Sequence, residues 1–110
     1  MLFRSKMKPE PEFNLAEIEG FDWDLGNATK NTKHQVEPEE AEEIFFNRPL
    51  LWSFDEKHSR SESRWTVLGR TAKRNLTVVF TVRRNLIRII SARAMNQKER
   101  AIYEKEFLRS

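Results

Sequence analysis

The residues best suited to chemistry in this 110-residue chain lie on and around Leu86–Arg93, which reads LIRIISAR. Arg88 and Arg93 stand there among Leu86, Ile87, Ile89 and Ile90, the pattern of a buried strand that carries guanidinium groups. A guanidinium beside buried apolar surface needs an anionic partner, either a carboxylate of the protein or a phosphate of a ligand. Arg64, Arg70, Arg83 and Arg84 flank the stretch on neighbouring strands and turns and can add to either face of one sheet. His34, Glu99 and Tyr103 are the groups nearby in chain order that can move a proton, and an imidazole is the side chain that ordinarily changes charge near neutral pH. A metal-free ribonuclease needs little more than such a set. One group takes the proton of the ribose 2′-hydroxyl, cations stabilise the charge growing on the phosphate, and another group protonates the leaving oxygen. DNA lacks that hydroxyl, so the substrate of this chemistry would be RNA.

Two features weigh against a simple reading. In a regular strand Arg88 shares a face with Leu86 and Ile90, while Arg93 shares one with Ile87, Ile89 and Ser91. The two arginines then point to opposite faces, unless a bulge or the strand's end returns Arg93 to the other side. Any single arginine can also be satisfied by Glu62, Glu99 or the glutamates around Glu40. The whole set cannot, because residues 57–110 carry fourteen Lys and Arg against four Asp and Glu. Residues 1–56 have the reverse balance, six against thirteen, so the net +3 conceals an acidic half and a basic half.

Several function classes find no support. Without cysteine there is no disulfide, thiolate nucleophile or zinc finger. No Gly-rich phosphate loop, GxSxG or HExxH occurs. Asp55, Glu56 and His58 form a weak metal set, since nothing holds three ligands on a polar loop. Neither a metal nor another cofactor is expected. No apolar run approaches the roughly 18 residues of a membrane span, and residues 1–12 lack a signal-peptide core, so a reducing, cytoplasmic setting without membrane contact is expected.

The elements that must position these groups read as one α+β domain. Residues 1–20 form an N-terminal extension docked through Phe13 and Ile18, and residues 21–110 form the domain proper. A short strand is expected at Phe21–Trp23, then a weakly periodic helix over Leu25–His34. A second helix starts at Pro38, with Glu39 and Glu40 in its first turn, Ala41, Ile44 and Phe45 on one face, and Glu42 and Glu43 in solvent. Strands follow at Leu50–Phe54, Arg64–Arg70, Asn75–Val82 and Leu86–Arg93. The links at 71–74 and 83–85 are short enough for hairpins, so these strands should form an antiparallel sheet of about four. A last helix over about Gln97–Leu108 opens with Asn96 and Glu99 in a capping-box pattern, and Ile102, Tyr103, Phe107 and Leu108 give its apolar contacts.

The succession FDWD at 21–24, a stretch from Asn27 ending in KH at 33–34, EEAEEIFF at 39–46, SRW at 63–65, LGRT, LTVVFTVRR, IRIISAR and then Glu99, Arg100 and Tyr103 resembles the BrnT toxins of type II toxin–antitoxin pairs. The likeness spans Gly20 to about Glu104. It implies a RelE/ParE-like fold and a toxin that blocks translation by cleaving RNA. It also implies a BrnA antitoxin with a ribbon-helix-helix part that neutralises the toxin and binds operator DNA in complex with it. A toxin dimer or a heterotetramer with the antitoxin is left open. Matched by position, the implied site residues are Lys33, His34, Arg64, Arg88, Arg93, Glu99, Arg100 and Tyr103; Arg70 and Arg84 join them as RNA-binding cations. The chain departs from the family pattern at Gln35, where Gly usually follows KH, at Glu37, where Ser often caps the second helix, and in the longer extension before Gly20. Two other readings remain: a non-enzymatic module whose cationic face docks antitoxin or DNA, and a gyrase-targeting toxin.

Overall fold

The computed structural model describes Met7 and residues 14–24, 26–27, 35–57, 59 and 62–109. The helix expected over Leu25–His34 therefore lies outside the described residues apart from Gly26 and Asn27, and Phe13, Lys33, His34 and His58 lie outside them too. Five strands are described: β1 (Gly20–Phe21), β2 (Leu51–Phe54), β3 (Trp65–Arg70), β4 (Asn75–Arg83) and β5 (Leu86–Ala94). With them are two α-helices, α1 (Pro38–Glu43) and α2 (Gln97–Arg109), and 3-10 turns at Leu15–Glu17 and Ile44–Phe46.

The class is α+β as expected, but the sheet is mixed and five-stranded, in the order β1-β5-β4-β3-β2. Strands β2 to β5 form the expected antiparallel meander. The correction is β1, which pairs in parallel with β5, Gly20 against Leu86 and Phe21 against Ile87. Parallel neighbours need a long crossover, and the chain between Phe21 and Leu86 supplies it. The hairpins follow from local chemistry. Arg84 and Asn85 both have positive φ, the two-residue turn that suits strand twist, and Thr71 Oγ1 accepts the Lys73 and Arg74 N–H groups at 3.0 Å.

One face of the sheet packs Trp52, Val67, Leu76, Val78, Phe80, Ile87, Ile89 and Ala92 against Val36, Ala41, Ile44 and Phe45. Glycine is required at 69, where an added Cβ would stand 2.8 Å from both Ile44 Cβ and Leu50 Cδ2. Gly69→Ala is expected to cost about 1–3 kcal/mol through overpacking, read as a lower urea midpoint with unchanged m-value.

The second helix begins at Pro38 as expected and is short, closing in the 3-10 turn before Asn47. Glu42 and Glu43, expected in solvent, are instead engaged, as is Glu40. Glu42 accepts the Trp23 indole N–H at 2.6 Å, Glu43 accepts the Ala72 N–H at 2.8 Å, and Glu40 binds Arg74 through two nitrogens at 2.8 and 3.1 Å. The acidic and basic halves are thus partly matched inside the fold. Gln35 has φ 61°, a left-handed conformation that explains why glycine suits the position in the family pattern.

The opposite face is more open. There Tyr103 of α2 packs with Leu51, Leu68 and Met95, with Met7 and Ile102 at the margin. Phe107 and Leu108 depart from the expected apolar contact. Leu108 is 84% exposed, and Phe107 carries the Arg70 guanidinium over its ring at 5.6 Å.

Candidate active site

Strand register sets out the open face in rows. Leu51, Leu68, Thr77 and Arg93 are successive partners across β2 to β5; Ser53, Thr66, Val79 and Ser91 make the next row; Thr81 and Arg88 lie in the one beyond. Arg88 and Arg93 share this face because β5 bulges. Phe80 pairs with Ile89 and Val79 with Ser91, leaving Ile90 as the extra residue. Ile87 and Ile89 enter the core below the bulge and Ala92 above it, so the side-chain alternation shifts by one. Arg64, one residue before Trp65, falls on the side of Thr66.

Arg93 is the arginine best placed to meet a ligand. Its Nη1 donates to Glu99 Oε1 and its Nη2 to Glu99 Oε2, each at 2.8 Å. This is the bidentate geometry that fixes a guanidinium plane. The Glu99 side chain is 7% exposed and that of Arg93 is 44% exposed, so the far side of the guanidinium meets solvent. Glu99 Oε1 also accepts the Thr77 hydroxyl at 2.8 Å and the Asn96 N–H at 2.9 Å, while the Glu99 N–H donates to Asn96 Oδ1 at 2.8 Å. The expected capping box is present, and its glutamate is the arginine's anchor. Burial works against the Glu99 charge, but Arg93, the Asn96 N–H and Thr77 outweigh it and hold the carboxyl below its ordinary range. The bond from Glu99 in turn raises Arg93. A carboxylate stabilised in this way is a weak base.

Arg93 and Glu99 line a cleft of about 540 Å³ together with Thr77, Thr66, Ser53 and Lys57. Asp55 and Glu56 stand at the same cleft, giving it acceptors beside its cations. Hydroxyls and a half-exposed guanidinium suit a phosphate and ribose.

The remaining candidates are distributed around this cleft. Arg88 lies on β5 just past its pairing with β1, 2.9 Å from Asp24 and 3.7 Å from Asp22, with 17% of its side chain exposed. Asn27 builds this corner. It exchanges two hydrogen bonds with Asp24, at 2.7 and 3.1 Å, and its amide donates to the Asp22 and Ile89 carbonyls at 3.0 Å. The Asn27 N–H, then Arg88, hold the Asp24 carboxyl low. Arg64 has one terminal nitrogen 3.8 Å from Glu62, and its Nε is buried with no hydrogen-bond partner among the described residues. Such a donor is costly to leave unmet, and an anion would satisfy it. Glu62 is held mainly by Arg83, at 2.9 Å.

Among the described residues, Tyr103, Arg70, Arg100 and Arg84 do not line the cleft. Tyr103 is buried, and its hydroxyl donates to the Pro49 carbonyl at 2.7 Å, tying α2 to the sheet. Burial raises it above the ordinary phenol range. Arg70 Nε donates to the Arg48 carbonyl at 3.0 Å, and Arg100 Nη1 to the Met95 carbonyl at 2.8 Å. Arg84 occupies the β4–β5 turn. Lys33 and His34 lie outside the described residues, as does His58 of the weak metal set. Among the described residues no three His, Asp or Glu side chains gather into a metal-binding group. Sequence reasoning missed Thr77, Asn27 and Lys57. Thr77 had a signal, a β-branched hydroxyl at an alternating strand position, whereas Asn27 read as one more polar residue of the expected Leu25–His34 helix.

Fold and cleft together define a small α+β protein with a cationic, hydroxyl-bearing sheet face at the foot of its last helix. A family model described as "Ribonuclease toxin, BrnT, of type II toxin-antitoxin system" matches residues 23–99, and the chain belongs to this family of ribonuclease toxins. Membership implies a protein antitoxin as partner. A search of curated proteins gave no match. Among the described residues no helix is long and apolar enough to cross a membrane.

Proposed function

We propose that the chain is a metal-independent endoribonuclease, acting in the cytoplasm to stop translation and neutralised by a BrnA-type ribbon-helix-helix antitoxin, with which it binds operator DNA. The observation that carries the enzymatic reading is Arg93, held in a plane by buried Glu99 and half exposed at a cleft of hydroxyl groups. In the reaction, the ribose 2′-oxygen loses its proton and bonds to the adjacent phosphorus. The bond from phosphorus to the 5′-oxygen then breaks, and that oxygen takes up a proton. Arg93 stabilises the charge that grows on the phosphate, with Arg64 as a second cation on the same face.

Glu99 acts here by positioning Arg93, because its oxygens are already bonded and its carboxyl is stabilised as the anion. Proton transfer falls to His34, with Lys33 beside it as a phosphate contact. Tyr103 supports the site through the Pro49 carbonyl. Arg88 keeps the Asp22–Asp24 corner in place, while Arg70, Arg84 and Arg100 add positive potential outside the cleft.

Purified protein incubated with single-stranded RNA in EDTA is expected to leave 2′,3′-cyclic phosphate ends. Intact RNA, with antitoxin binding retained, would instead favour the binding-module reading, which the carboxylate partners of both Arg88 and Arg93 would then explain. Pulse labelling after induction separates the gyrase reading, which predicts loss of DNA synthesis before protein synthesis.

A further inference from the structure

The cleft has a neighbour. A groove of about 370 Å³ runs beside α2, with Leu51 and Ile102 on its apolar side, Lys105 and Arg109 as its cations, and Glu106 as its carboxylate, 3.5 Å from Arg109. Met7 is the one described residue that lines both spaces. It packs against the Leu51, Leu68, Met95 and Tyr103 cluster that seats α2 on the sheet. Met7 and every groove residue except Leu51 lie outside the matched stretch 23–99.

We infer that Met7 sets the length of RNA the site engages: its side chain closes the cleft at the α2 end, so a bound strand stops there and does not run on beside Lys105 and Arg109. The inference rests on the ribonuclease reading of the cleft. A thioether chain offers a phosphate neither charge nor a hydrogen bond, and a strand crossing it would have to desolvate its backbone against apolar surface. Cutting the side chain back joins cleft and groove into one trough, whose far part holds two cations within reach of a continuing strand.

The test uses the full chain and single-stranded RNAs lengthened one nucleotide at a time at either end. Cleavage is followed as kcat/KM, and binding is followed with 2′-O-methyl analogues over a range of salt. For the wild type and Met7→Leu, kcat/KM reaches a plateau at the same length. Met7→Ala keeps gaining beyond that length, by about tenfold at low salt, and the slope of log affinity against log salt steepens by about 1.4, roughly 0.7 for each new phosphate contact. Adding Lys105→Ala and Arg109→Ala to Met7→Ala restores the plateau. Met7→Glu, which opens no cavity, raises KM for plateau-length RNA and leaves shorter RNA unaffected.

A Met7→Ala plateau at the wild-type length overturns the inference. So does a gain that survives loss of both cations, or a loss of activity when Lys105 and Arg109 alone are replaced. If the wild type cleaves no RNA at all, the ribonuclease reading itself fails; cleavage with an unchanged length limit removes the role of Met7 alone.

Discussion

Arg93→Ala lowers RNA cleavage by about 10²–10³-fold, the usual scale for removing one preorganised group that stabilises transition-state charge. Because the cation acts where phosphate charge grows, the loss appears in kcat more than in KM. Arg93→Lys keeps a charge but loses the two-point bond to Glu99 and the fixed plane, so its activity falls between the two. The substitution to alanine also leaves Glu99 buried with Thr77 and the Asn96 N–H as its partners. Arg93 is 44% exposed, so solvent screening holds the stability cost to about 1–2 kcal/mol. Growth arrest on expression should be relieved while circular dichroism and thermal melting still report a folded protein. Unchanged cleavage by a folded Arg93→Ala protein would remove Arg93 from the mechanism.

Glu99→Ala has the larger effect on the fold, about 2–4 kcal/mol, because it removes the carboxylate half of the α2 capping box, the Thr77 bond and the Arg93 anchor together, although Asn96 still caps the helix. The loss should reach activity as well, through a guanidinium free to rotate. Glu99→Gln separates charge from shape and gives a pH signature. The folded carboxyl lies below its ordinary value, so the unfolded chain binds the proton more tightly, and stability rises with pH across the interval between the two. The contribution is fully present above the unfolded value of about 4.3 and is lost as pH falls through the folded one. Asp24 and Glu40, also held low, add to the acid limb with the same sign. Urea titrations from pH 7 to pH 3 should therefore show the wild type losing more stability than Glu99→Gln. Parallel curves would mean that the Glu99 charge contributes nothing.

Much of the framework was legible because it is local. The start of α1 at Pro38, the two tight hairpins and the Asn96–Glu99 capping box each depend on residues within four positions of one another. The β1 pairing was missed in part because two residues carry little pattern, and their partner lies more than sixty positions away. Glu42 and Glu43 were placed in solvent because helical spacing alone cannot reveal that Trp23 and Ala72 come to meet them.

The two arginines of LIRIISAR show where the division lies. By itself the sequence determined that a strand runs through them, that it pairs with Asn75–Arg83 through a tight turn, and that its guanidinium groups need anionic partners. Those properties follow from side-chain type and spacing. Only the tertiary structure decided which anions they take and which way they face. Asp24 and Glu99 reach Arg88 and Arg93 through different elements, and the extra residue Ile90 turns both arginines to one side of the sheet. A bulge forms where two packed faces demand different registers, and that demand comes from the whole core rather than from the eight residues that carry it.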